Sequence, residues 1–144
     1  MTLASAEFLL FFVAVPILVG VPLAVLAWCV WLSWRECPEE ASEEKIFEDR
    51  RVVVDRGRGW MIGRIAFYDD FMVVASCWGT LVLEYRAIKH VRSDDVPSAM
   101  PDKAIQVFYG SNGESESLIL LSDRKARILV AVRDGVRRST KNDV

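Results

Sequence analysis

The chain has 144 residues, 52% of them apolar and 26% charged, with a formal net charge of −2. That length leaves room for one small domain beside a membrane segment, and so weak a charge bias gives no basic surface for a nucleic-acid partner. Three cysteines (Cys29, Cys37 and Cys77) without CxxC spacing supply neither a disulfide framework nor a zinc site, and they read as free thiols in a reducing compartment.

The first element is the run Phe8 to Trp34, FLLFFVAVPILVGVPLAVLAWCVWLSW, 27 residues without a charged side chain. As a helix it would reach about 40 Å, against a hydrocarbon core of about 30 Å, so it predicts a transmembrane helix over residues 1–34. A cleavable signal peptide is disfavoured, because MTLASAE carries no Lys or Arg and the apolar core is too long. Trp28 before Cys29 spoils a lipoprotein cleavage box, and Thr2 rules out myristoylation. All 18 Lys and Arg lie at or after Arg35. The flank Arg35, Lys45, Arg50 and Arg51 therefore predicts a single pass through the cell (inner or plasma) membrane, with the N-terminus outside and the C-terminal part cytoplasmic.

Pro16, Gly20 and Pro22 interrupt the run. They suit either a packing face for partner helices or a tolerated irregularity in a lipid-facing anchor. Trp28, Trp31 and Trp34 recur every third residue. Trp31 and Trp34 fit an interfacial aromatic belt; Trp28, a turn deeper, suits the belt or a contact with a partner helix, lipid, quinone or pigment. No histidine lies in the run, so it offers no imidazole ligand to a haem or chlorophyll.

Residues 35–45 contain ECPEEASEE and predict an acidic, solvated linker, with a helical turn after Pro38. From Ile46 the pattern becomes strand-like: IFEDRRVVVDR, a break at GRG (57–59), WMIGRIAF (60–67), a turn at Tyr68-Asp69-Asp70, FMVVASCW (71–78), and TLVLEY (80–85) after Gly79. SDDVPSAMPD (93–102) is a loop barred from regular structure by Pro97 and Pro101. AIQVFY (104–109) and ESLILL (116–121) flank a turn at Gly110-Ser111-Asn112-Gly113. Ser122 then caps a helix with Ala126, Leu129, Val130 and Val136 as its apolar stripe and Gly135 near its end; residues 139–144 read as a flexible tail.

The chain is thus α+β: an apolar helix, then six or seven antiparallel strands and one C-terminal helix. The segment GRIAFYDDFMVVASCWGTLVLEYRAIKHVR (63–92), with the hairpin and the LSDRKARILVAV helix after it, resembles the pleckstrin-homology (PH)-like fold, in particular bacterial PH domains, over residues 46–138. The resemblance implies a small β-sandwich or barrel serving as a binding or scaffolding module. In lipid-binding members basic residues surround the first hairpin loop; the matching positions are Arg56, Arg58 and Arg64 around Gly57 and Gly59, which suit an anion or an ordinary solvated turn.

No catalytic constellation stands out. His90 is the single histidine and reads as structural; the pairs Asp69-Asp70 and Asp94-Asp95 sit on turns; GRGWMIG has the wrong spacing for a dinucleotide fingerprint. The expectation is a non-enzyme without cofactor, metal or small-molecule substrate: an accessory or scaffold subunit of a larger membrane complex, with photosynthetic and respiratory assemblies as one setting. Its partners would be the lipid bilayer and other transmembrane subunits. The rival is a membrane-tethered lipid- or signal-sensing module; an enzyme with an unrecognised site, built on His90 or the Asp pairs, is the third.

Overall fold

The computed structural model describes residues 3–110 and 113–142. Helix α1 (Leu3–Trp34) carries Pro16 and Pro22 within it, and its apolar side chains from Phe11 to Trp28 are exposed along most of its length. The segment Phe11–Trp34 has a mean hydropathy of 2.5, and it is long and apolar enough to cross a membrane.

The head is a seven-stranded antiparallel sheet: β1 (Phe47–Asp55), β2 (Trp60–Phe67), β3 (Phe71–Ser76), β4 (Gly79–Glu84), β5 (Ile88–Arg92), β6 (Ala104–Tyr109) and β7 (Glu116–Leu121), followed by helix α2 (Lys125–Asn142). The spatial order is β4-β3-β2-β1-β7-β6-β5, a sheet left open at β4 and β5. One core joins both halves: Val52, Val54, Ile65, Met72 and Val74 on one side, and Ile105, Val107, Leu118 and Leu120 on the other, closed by Ile128 and Val132 of α2. The apolar helix, the antiparallel strand meander and the closing helix follow the α+β order expected above.

Strand β1 changes register between Asp49 and Val52, where a bulge re-aims the strand. Asp49 holds it in place: one carboxylate oxygen accepts the Arg51 N–H at 3.0 Å and the other accepts the Ser122 hydroxyl at 2.6 Å. Ser122 in turn accepts the Arg124 N–H at 2.9 Å, so the start of α2 is fastened to the first strand.

Three expectations are corrected. The buried stripe of α2 centres on Ile128, Val132 and Gly135, with Leu129 and Val136 half-buried; Ala126 and Val130 face outward. Gly135 does not end the helix: a Cβ there would overlap the Tyr85 ring, so the residue permits close packing rather than a stop. The helix also runs to Asn142, so most of the supposed tail is helical. Of the hairpin turn, Ser111 and Asn112 lie outside the described residues, while Gly110 and Gly113 take the positive φ values of +146° and +89°.

Candidate functional site

The continuous apolar character of FMVVASCW has a structural cause. Met72 and Val74 face the main core, while Val73 joins Ala66 and Tyr68 in a second cluster on the opposite face, packed against Cys37 and Phe71. A strand covered on both faces has no solvent side to make polar. What covers the outer face is the end of α1 and the segment after it, and that junction is the most elaborate polar arrangement among the described residues.

At its centre is Arg64 on β2, fully buried. Its Nε donates to the carbonyl of Ser33 at 3.3 Å and one terminal nitrogen donates to the carbonyl of Arg35 at 3.1 Å. These belong to the end of α1, where the last carbonyls lack helical partners and the dipole is negative; a buried guanidinium answers both needs. The two terminal nitrogens also clasp the carboxylate of Glu40, the Nη2–Oε2 contact being 2.7 Å. Glu40 further accepts the Tyr68 hydroxyl at 2.7 Å and the Cys37 N–H at 2.7 Å. The Tyr85 hydroxyl donates to the Tyr68 carbonyl at 2.9 Å, which ties the network to the ring lying against α2.

Burial works against the Glu40 charge, but the hydrogen bonds from Arg64, Cys37 and Tyr68 outweigh it and hold its carboxyl at about 2. Burial, and then the neighbouring Glu40 carboxylate, push the Tyr68 hydroxyl upward; burial lifts the Cys37 thiol to about 11. Glu40 and Arg64 are therefore a charged, fully hydrogen-bonded pair, and both Tyr68 and Cys37 stay protonated near neutral pH. A tight pair with every lone pair occupied suits holding rather than reacting.

Two sequence readings change here. Arg64 does not join Arg56 and Arg58 in an anion site, because its guanidinium is spent inside the junction. The acidic segment 35–45 is not a solvated connector throughout: the expected turn after Pro38 forms over Pro38–Ser42, and it delivers Glu40 into the interior. Lys45 bridges Glu36 at 3.0 Å and Glu48 at 3.2 Å, holding the far end of the segment against β1. A clue was present in the sequence, an arginine inside the strand-like run WMIGRIAF, but nothing local tells an outward arginine from one covered by a distant helix.

The remaining candidates fall elsewhere. Arg56 and Arg58 line a cleft of about 550 Å³ with Trp78, Thr80, Tyr109 and Glu116. Pro16, Gly20 and Pro22 lie on α1 away from the head, and a Cβ at Gly20 would meet nothing within 4 Å. The Trp28 and Trp31 rings lie 5.0 Å apart and tilted by 32°, the Arg35 guanidinium lies 5.7 Å from the Trp31 ring, and that of Arg50 on β1 lies 5.8 Å from Trp34. His90 is exposed on β5, its ring 5.9 Å from Phe108. Asp69, Asp70, Asp94 and Asp95 are all exposed. Among the described residues no three His, Cys, Asp or Glu side chains are grouped to hold a metal ion.

No family model matches the chain, and no curated protein matches it. Among solved structures it is similar to the C-terminal domain of an unknown protein from Leishmania infantum, at 16% identity and a TM-score of 0.56, over 69% of this chain and 89% of that one. It also aligns with the Vps36 N-terminal PH domain at 18% identity and a TM-score of 0.48, over 74% of this chain and 85% of that one. At such identities the first likeness speaks for the fold alone.

Proposed function

We propose that this chain is a non-catalytic accessory or scaffold subunit of a larger membrane protein complex. Its apolar helix packs beside partner helices, with the N-terminus outside, and its head covers their cytoplasmic face. The observation that carries this reading is the buried clasp of Arg64 on Glu40 and on the last carbonyls of α1. A sensing module on a tether gains reach from a loose joint, whereas a scaffold must present its surface at a fixed height and angle. A joint sealed by a buried ion pair suits the second task. Photosynthetic and respiratory assemblies remain one setting for such a subunit, by analogy alone.

Extraction in mild detergent followed by sizing tests the proposal. The expected result is stoichiometric co-migration with integral membrane proteins, lost when α1 up to Trp28 is exchanged for an unrelated apolar helix. A lone species of 16.3 kDa in its detergent micelle would overturn it.

One observation favours the second reading, a lipid- or signal-sensing module: Arg56 and Arg58 share an open cleft with polar Thr80 and Ser117. Glu116 in the same cleft offsets part of that positive charge. Anionic lipid retained through purification by the natural chain, and lost from Arg56→Gln/Arg58→Gln, would support this alternative; equal retention removes it.

A further inference from the structure

The head carries large apolar side chains that its own fold leaves uncovered: Trp60 is 41% exposed, Ile62 52% and Trp78 47%. All three sit at one end of the sheet, at the start of β2 and in the turn between β3 and β4. The contacts with α1 show which way that end points. Ser33 donates to the carbonyl of Ile62 at 3.2 Å, and the thiols of Cys77 and Cys29 are near enough to influence one another. Arg64, further along β2, is level with the carbonyls of Ser33 and Arg35 and with Glu40. Moving from Arg64 towards Ile62 and from Ser76 towards Trp78 therefore moves back along α1, towards its uncovered apolar stretch. The opposite end of the sheet, with Phe47 and Phe67, lies beyond the end of the helix.

The helix length agrees. The uncharged run of 27 residues exceeds a hydrocarbon core by about 10 Å. Residues 29–34, about 9 Å of helix, are the part that lies alongside the head. What remains, Phe8 to Trp28, measures about 31 Å, one core thickness. The surplus is the docked section, and it lies at the depth of the lipid headgroups.

We infer that this end of the head is seated in the membrane interface, with Trp60, Ile62 and Trp78 entering the boundary between headgroups and acyl chains beside α1. The inference rests on the reading of α1 as a membrane span. The occupant is the bilayer rather than a protein because the patch is continuous with the span and level with its end. Its composition also fits: tryptophans are the side chains that favour this depth, and Arg56 and Arg58 on the neighbouring loop stand where lipid phosphates lie. The head thereby gains a second contact with the membrane, which fixes its rotation about α1 as well as its height.

Fluorescence of the full chain in nanodiscs tests this, comparing phosphatidylcholine with its acyl-brominated form. The chain has five tryptophans, so variants retaining only Trp28, only Trp60 or only Trp78, the rest being Phe, are compared with a tryptophan-free chain carrying Val130→Trp on the far side of the head. Brominated lipid should quench Trp28, Trp60 and Trp78 by at least about half and leave the tryptophan at 130 to aqueous acrylamide. If Trp28 is quenched by bromolipid but Trp60 and Trp78 respond only to acrylamide, the seating is wrong while the span stands. Shielding of both from either quencher would mean that a protein covers the patch, and it also overturns the seating. If Trp28 itself escapes bromolipid, the span reading falls first. Should the multiple variants fail to fold, Trp78→Phe alone must remove a bromolipid-quenchable part of the natural chain's emission; no change refutes the proposal.

Discussion

Arg64 and Glu40 stand 24 residues apart in the chain, and their side chains meet in a two-pronged ion pair fully shielded from solvent. Around that pair close the last carbonyls of the apolar helix, the hydroxyl of Tyr68 and the backbone of the connecting turn. Helix and head are joined through it, so the pair decides whether they behave as one body or two.

Replacing Arg64 with Ala or Met strands a buried carboxylate and uncaps the helix end, and should destabilise the head by about 3–5 kcal/mol. Arg64→Lys keeps the charge but cannot reach two carbonyls and a carboxylate at once, so it should recover only part of the loss. Tyr68→Phe removes one hydrogen bond to the carboxylate and should cost about 1–3 kcal/mol. Denaturant unfolding of the detergent-solubilised chain, followed by circular dichroism, measures all three. If Arg64→Met matches the natural chain, the ion pair is not what holds the junction.

The same pair sets a dependence on pH. Glu40 is held at about 2, below its ordinary 4.5, so its stabilising contribution is fully present above about pH 4.5 and is lost as pH falls towards 2. A depression of that size corresponds to about 3 kcal/mol. Glu48, lowered through Arg50 and Lys45 against the cost of its burial, adds in the same direction. Stability measured between pH 6 and 2 should therefore fall, and Glu40→Gln should be less stable throughout yet flatter across that window. An unchanged slope in the glutamine variant would count against the pair.

Gly135 yields a prediction whose sign opposes helix propensity. Alanine in the middle of a helix is ordinarily favoured over glycine by about 1 kcal/mol. Here the added methyl would collide with the ring of Tyr85, which is buried and tethered through its hydroxyl, and overpacking of that kind costs about 1–3 kcal/mol. Gly135→Ala should lower the thermal midpoint, and Gly135→Ala with Tyr85→Leu should recover much of it. A gain in stability from the alanine alone would show that α2 can shift.

The docking of α1 on the β3–β4 turn can be trapped chemically. In a Cys37→Ser background, diamide, which takes two hydrogens from a pair of thiols, should convert Cys29 and Cys77 into an intramolecular disulfide. Mass spectrometry of the cleaved chain would show the two peptides joined. Cross-linking only between separate molecules would mean that the head stands off the helix.

Much of the secondary structure was legible in the residues. A 27-residue run without charge can be satisfied only by an apolar surrounding, and alternating β-branched runs punctuated by Gly and Asp turns can hardly be anything but paired strands. The stripe of α2 is less legible: Val130 and Ala126 fit a helical period as readily as Ile128 and Val132 do, and only the position of the sheet separates them.

The opening apolar run keeps its meaning as a candidate membrane span, because hydrophobicity is a property of the residues themselves. What the tertiary structure decided is where that run meets the head, from about Cys29 onward. The sequence could not place that boundary. Arg64 looks like a solvent-facing strand residue and Glu40 like one of several acids in a linker, and their roles exist only because folding brings a helix end, a strand and a turn to one point. A buried charge is tolerated when its partners arrive from elsewhere in the chain, and no local pattern records that arrival.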